Sequence, residues 1–341
     1  MIGRAALFAA AALLCAACGT GDDTAPSAGM RSKHLVYTKA VGKPREAVWI
    51  GDVNGRRMTR LTLGRFGLVS PDGRTIAISR RGGIYTVDPN GRGERFIAWA
   101  KPAGWLPDSR HLLAFQRRAF VNIDLDDRSV DVIEGREVTT WTISPDGATL
   151  AYDVYLARPS SGECGFDIYS AQIDGTSKRR LTTGGRSSHP VWGTDSIGFA
   201  YRPVGTGCFK PRIWQMGPEG GQRAPVMRTL PIRFAILGRY GVRPFAWVSG
   251  SPLLLATIPT EWGAELALVN ARSGRARVAD LDPRPRREQP MYVDHASHDG
   301  RHAVGAACGA EGPCTIRIYS VATGRARELT SGNARYPHWN R

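Results

Sequence analysis

The sequence predicts an all-β chain of repeated four-stranded units, and three observations carry that expectation. Two stretches, VSPDGRTIAIS at 69–79 and ISPDGATLAYD at 143–153, nearly coincide, and a looser copy, WLPDSRHLLAF, stands between them at 105–115. Hydrophobic residues around each copy alternate with polar ones, the period of a strand rather than a helix. Gly, Asn and Asp separate the alternating segments, as they do in turns. Recurrence at a regular spacing is the signature of a repeat architecture.

The chain opens differently. MIGRAALFAAAALLCAAC has one cation, Arg4, then an apolar run from Ala5 to Leu14 and small residues, the layout of an export signal. The run is too short to span a bilayer comfortably. GTGDDTAPSAG follows, small and polar, suited to a flexible tether. Leu14, Ala16 and Ala17 before Cys18 resemble a bacterial lipobox, although Cys15 stands where that pattern usually has Leu. The resemblance implies cleavage before Cys18 and lipid on its thiol. The expected organisation is a signal peptide at 1–17, a tether at 18–32 and a repeat domain at 33–341. The expected location is the outer face of a bacterial cell membrane, or the periplasmic side where a second membrane exists.

From residue 33 onward the repeat can be followed piece by piece. A first strand ends in a hydrophobic residue before the SPDG turn. Second strands are HLVYT, TIAIS, HLLAF, TLAYD, SIGFAY, LLLATI and HAVGAA. Third strands include AVWIGDV, GIYTVDP, AFVNIDL and IRIYSVA, and fourth strands include RMTRLT, GERFIA, SVDVIE and ARELT. RYPHWNR at 335–341 reads as a first strand like SHPVWGT at 188–194, whereas the unit that begins at HLVYT lacks one. If the C-terminal strand completes the N-terminal unit, seven four-stranded blades close into a β-propeller and no long sheet edge stays exposed. Six blades remain an alternative, because the sixth unit has no SPDG and carries Gly250 where the others have Asp.

SPDG after a hydrophobic strand, IYTVDPNG, and endings such as RRLT at 179–182 and TRLT at 59–62 resemble the WD40-like (PD40) repeats of TolB-type propellers. The resemblance covers about 33–341 and implies a propeller. It says little of function, since such repeats serve translocation proteins, peptidases and lipoproteins alike. The chain departs from TolB itself in lacking room for a preceding α/β domain and in having seven units where that family usually has six. In SPDG, Pro presets the turn, Asp caps it and Gly accepts positive φ, so Asp72, Asp108, Asp146, Asp195 and Asp299 read as structural.

Composition points to an anionic partner: 46 Lys+Arg against 30 Asp+Glu give a net charge of +16. First strands begin nearest a propeller's channel, and the seven units place Arg65, Lys101, Thr139, Ser188, Arg243, Tyr292 and Arg335 there. Arg65, Lys101, Arg243 and Arg335 therefore form the candidate ligand-binding mouth. The long connections ARPSSGECG, RPVGTGCFKP and CGAEGPC, and LPIRFAILGRYG at 230–241, fall on the same face. They hold Cys164, Cys208, Cys308 and Cys314, expected as disulfides 308–314 and 164–208 in an oxidising compartment.

Other signals are weaker. DHASHDGRH holds His295, His298 and His302, but strand and turn positions do not converge as a metal site requires. DLDD at 124–127 reads as a turn rather than a calcium loop. Trp105, Trp141, Trp192, Trp247 and Trp339 recur near first strands and read as blade packing rather than sugar platforms. The sequence has no GxSxG elbow, P-loop, GxGxxG or nucleic-acid recognition module, and no cofactor or metal is expected. The functional expectation is a non-enzymatic, lipid-anchored monomer that binds a protein partner or an anionic envelope polymer. The alternatives are a lyase or glycosidase acting on anionic polysaccharide, with Tyr292 and His189 as its first suspects, and a TolB-like assembly accessory.

Overall fold

The computed structural model describes residues 34–339 except 42–44, 53–55, 157–164, 204–211, 227–241, 249–250, 261–262, 279–290, 298–300, 308–313, 324 and 331–333. The leader, the tether and Cys18 lie outside the described residues, as do Cys164, Cys208, Cys308, His298 and Asp299. The side chains of 259–260, 263–265 and 291–295, among them those of Tyr292 and His295, also lie outside the described set.

Seven four-stranded antiparallel sheets follow one another along the chain. The first holds β1 (His34–Ala40), β2 (Glu46–Asp52) and β3 (Thr59–Leu63). The second holds β4 (Arg65–Val69), β5 (Ile76–Arg80), β6 (Gly83–Val87) and β7 (Arg95–Ala98), and the third β8 (Lys101–Trp105), β9 (His111–Gln116), β10 (Ala119–Asp124) and β11 (Val130–Glu134). The fourth is β12 (Val138–Ile143), β13 (Thr149–Tyr155), β14 (Phe166–Gln172) and β15 (Arg179–Arg180), the fifth β16 (Ser187–Trp192), β17 (Ile197–Tyr201), β18 (Arg212–Gly217) and β19 (Gly220–Pro225). The sixth is β20 (Arg243–Trp247), β21 (Leu253–Thr260), β22 (Gly263–Asn270) and β23 (Ala276–Val278), the seventh β24 (Met291–Ala296), β25 (His302–Ala307), β26 (Thr315–Ser320) and β27 (Ala326–Thr330).

The C-terminal strand β28 (Ala334–Trp339) pairs antiparallel with β1, matching Leu35 to Trp339 and Thr38 to Arg335. It thereby becomes the first strand of the N-terminal blade, and the ring closes as a seven-bladed β-propeller. The first strands β28, β4, β8, β12, β16, β20 and β24 form its inner wall, each packing near the next around the channel.

Turn chemistry sets the blades as the repeat predicts. In the second blade Asp72 Oδ1 accepts from Ser70 Oγ at 2.6 Å and from Arg74 N at 3.0 Å, and Gly73 takes a φ of 75°. Asp146 and Gly147 repeat this in the fourth blade, with the Ala148 N–H at 3.0 Å and a φ of 76°. Asp108 accepts the N–H groups of Arg110 and His111, both at 3.0 Å. These carboxylates are spent on backbone donors, which is the structural role expected of them.

The core lies between blades rather than in one centre. Val36, Val48 and Ile50 of the first blade interlock with Val69, Ile76, Ile78 and Val87 of the second. Across the closing joint, Leu35 and Tyr37 pack with Val304, Ile316 and Ile318 of the seventh. Each fully buried aliphatic side chain contributes about 1.5–3 kcal/mol, so every joint is held by several such terms. Trp105 donates its indole N–H to Leu68 O at 2.9 Å and Trp247 to Val191 O at 3.1 Å, while Trp141 lies so close over Gly104 that a Cβ would collide with its ring. These tryptophans pack one blade on the next.

Each inner strand carries a β-bulge in its pairing with its neighbour. In three of them a residue near the strand's start is left-handed: Phe66 at 50°, His189 at 55° and Tyr336 at 53°. A bulge re-aims side chains, and a non-glycine residue with positive φ is a cost that recurs at functional sites.

Candidate functional site

Among the described residues, two cavities open along the inner strands. The larger, about 890 Å³, lies where the first, second and third blades meet, and it is lined by Arg45, Glu46, Arg65, Phe66, Arg80, Arg81, Trp99, Lys101, Phe115 and Arg117 among others. Antiparallel pairing explains why these residues share one end of the propeller. Arg65 pairs with Ser79, Ser79 with Ile84 and Ile84 with Ala98, so the start of a first strand, the β5–β6 turn and the end of the fourth strand coincide.

The predicted Arg65 and Lys101 both enter this groove. Arg65 is ion-paired with Glu46. The ammonium of Lys101 sits 4.8 Å from the centre of the Phe66 ring, which in turn lies 4.3 Å from the ring of Tyr336. Arg80 pairs with Glu94 and lies over Tyr85 at 4.4 Å. Among the described residues, Arg45, Arg81, Lys101 and Arg117 have no carboxylate partner and all are exposed. With so few compensating acids, the groove is strongly cationic, and its concave shape suits an anion of small-molecule size.

Arg81 and Arg117 escape the first-strand reasoning because they come from second-to-third-strand turns. Arg81–Gly82 have φ of 52° and 82°, and Arg117–Arg118 have 48° and 76°, the two-residue hairpin geometry that ordinarily selects Asn-Gly. The signal was present in SRRGG and FQRRA, where paired arginines occupy the hinge of a hairpin.

The smaller cavity, about 430 Å³, runs along the channel wall past Thr139, Thr140, Trp141, His189, Trp192, Phe245 and Trp247. Asp153, which exposes no surface, organises one side of it. Its Oδ1 accepts from Thr139 N at 3.1 Å, Thr139 Oγ1 at 2.8 Å and Thr140 N at 2.8 Å. Its Oδ2 accepts from Thr140 Oγ1 at 2.6 Å and His189 N at 3.0 Å. The Nδ1 of His189 lies 3.0 Å from Ser188 Oγ, and Arg202 reaches the same oxygen at 3.4 Å.

Burial holds the His189 imidazole down to about pH 4; Asp153 works against this, and the positive charges of Arg243 and Arg202 reinforce it. Burial likewise lowers Arg202, with Arg243 as a like-charged neighbour. The predicted Arg243 therefore belongs to this second cluster. Arg335, exposed on β28, lines neither cavity.

Other predicted features resolve more simply. Asp124 is held by Arg110 at 2.6 Å and accepts the Asp126 N–H at 2.8 Å, so DLDD is a turn. Cys314 is fully buried and disulfide-bonded, with its partner outside the described residues. Among the described residues no cluster of His, Cys, Asp and Glu is arranged to hold a metal ion, and no helix is long and apolar enough to cross a membrane.

No family model and no curated protein matches the sequence. Among solved structures the chain is similar to TolB from Acinetobacter baumannii at 14% identity, with a TM-score of 0.53 over 90% of this chain and 82% of that one. It is similar to the β-propeller domain of the Trilobed protease from Pyrococcus furiosus at 16% identity, with a TM-score of 0.63 over 89% and 95%. It also resembles an oligogalacturonate lyase from Vibrio parahaemolyticus at 13% identity, with a TM-score of 0.59 over 87% and 85%. At these identities the likeness establishes the propeller fold and TolB among its neighbours, and stops there.

Proposed function

We propose that this chain is an exported, lipid-anchored propeller of TolB-type WD40-like repeats that holds an anionic envelope ligand in the groove between its first three blades, without transforming it. The carrying observation is the groove itself, where Arg45, Arg81, Lys101 and Arg117 converge without a carboxylate partner among the described residues. The export signal and Cys18 support the location, and the disulfides 308–314 and 164–208 would brace the same face. Attraction between exposed charges is screened by salt, so binding to such a groove weakens as ionic strength rises.

The test uses the soluble chain from Gly29 onward, titrated with acidic envelope polymers at two salt concentrations. The reading requires saturable, salt-sensitive binding that is lost when Arg45, Arg81, Lys101 and Arg117 are changed together to alanine. Unchanged binding in that variant would sink the site, and binding only to acidic proteins pulled from the membrane would move the ligand class to a protein partner.

One observation favours a second reading, that of a lyase acting on an acidic polysaccharide. His189 is neutral at physiological pH, strained at φ 55°, and faces the channel cavity beside Arg202 and Arg243. A neutral imidazole can accept a proton, and two neighbouring arginines could hold the adjacent carboxylate of such a substrate. Release of unsaturated products from uronate polymers, abolished by His189→Ala, would establish it.

A further inference from the structure

We propose that the ligand of the basic groove is an acidic oligosaccharide, one sugar ring of which lies against the indole of Trp99 while its carboxylates meet Arg81, Lys101 and Arg117. The proposal rests on the reading of the groove as an anion site and adds the class of anion.

Trp99 is 65% exposed, more than any other large hydrophobic side chain among the described residues. Leaving an indole in water forgoes a large burial term, so an exposed tryptophan inside a concave site calls for an occupant. The ring is braced from behind. Trp99 packs against Phe96 at 5.1 Å, Phe96 against Tyr85 at 5.3 Å, and Arg80 covers Tyr85. Gln116 Nε2 donates to the Trp99 carbonyl at 3.4 Å, linking the bend to the neighbouring blade.

Gly83 makes this arrangement possible. A Cβ there would stand 2.9 Å from Phe96 Cε2 and 3.4 Å from Trp99 Cε3, so any side chain would push the aromatic row out of place. The result is a preformed flat surface bordered by unpaired cations. A pyranose ring presents an apolar C–H face to an aromatic plane, and its carboxylate is planar, matching the guanidinium fork. An acidic peptide supplies the charge without the flat ring. Nucleic acid supplies both, but an exported chain, as proposed above, would meet envelope polymers instead.

The experiment measures, by calorimetry, affinity of the soluble chain for four probes: a uronic-acid hexamer, a neutral glucan hexamer, hexaglutamate and oligo-dT. Wild type, Trp99→Ala and Trp99→Phe are compared, with circular dichroism to confirm folding. The hexamer of uronic acid should bind roughly tenfold more tightly than hexaglutamate, the scale on which aromatic stacking acts per ring. Trp99→Ala should erase that advantage and leave hexaglutamate unaffected, and Trp99→Phe should retain most of it. Quenching of tryptophan fluorescence by the uronate should disappear in Trp99→Ala.

Equal affinity for uronate and hexaglutamate, or a Trp99→Ala variant that binds uronate like wild type, would overturn the sugar platform while leaving the anion site standing. Tighter binding of oligo-dT would assign the surface to nucleic acid instead. Failure of every anionic probe to bind wild type would remove the anion site and this proposal with it.

Discussion

Asp153 of the fourth blade accepts the main-chain N–H of His189 in the fifth at 3.0 Å, so one fully buried carboxylate ties two adjacent inner strands together. The same carboxylate holds the bulge of its own blade through Thr139 and Thr140. Here polar contacts join the channel wall beside the apolar cluster of Ala151, Ile168, Ile197 and Phe199 that packs the same two blades.

Asp153→Ala should therefore lower stability by about 3 kcal/mol, because several buried donors lose a charged acceptor at once. The urea midpoint of unfolding measures this. A loss below about 1 kcal/mol would mean that water or side-chain rearrangement replaces the carboxylate.

Stability should also fall with pH in a window set by His189. An unfolded histidine takes up its proton near pH ~6.5, but burial holds the folded one down to about pH 4. As pH drops through that interval only the unfolded chain gains the proton, so folding free energy is lost, by up to about 3 kcal/mol. His189→Gln should flatten the pH dependence between those limits. Burial also lowers His34, which adds a smaller slope in the same direction and survives the substitution.

The Arg117–Arg118 hairpin stores strain that one substitution can release. Arg118 has a φ of 76° and, unlike Arg117, does not line the groove. Arg118→Gly should raise stability by about 0.5–1 kcal/mol while leaving polyanion affinity unchanged. A drop in affinity would show that Arg118 belongs to the binding surface.

The predicted cations should separate in function. Lys101→Ala should weaken binding of a uronate polymer several-fold at low salt, the effect fading as the screening length shortens from about 10 Å at 0.1 M to about 3 Å at 1 M. Arg335→Ala, outside both cavities, should leave binding within twofold of wild type. Equal losses from the two would assign Arg335 to the same binding surface as Lys101.

The repeat, its turns and the closing strand were legible in the sequence because each rests on local rules. SPDG encodes its own turn through Ser70, Asp72 and Gly73, and period-two alternation marks a strand wherever it occurs. The unmatched first strand at 335–341 already implied the pairing of β28 with β1. Packing tryptophans such as Trp105 and Trp247 were also readable from their recurrence.

The composition of the site was not legible in the same way. Arg65 and Lys101 were found by position in the repeat, but their companions Arg81 and Arg117 come from hairpins in two different blades. Trp99 precedes a first strand and belongs to no repeated position. Asp153, His189, Arg202 and Arg243 are drawn from four strands or their ends in three blades. Local sequence determines how each blade folds, because turns and alternation act within a few residues. Which side chains face one another across the mouth depends on how neighbouring blades are staggered and where each inner strand bulges, and only the closed ring decides that.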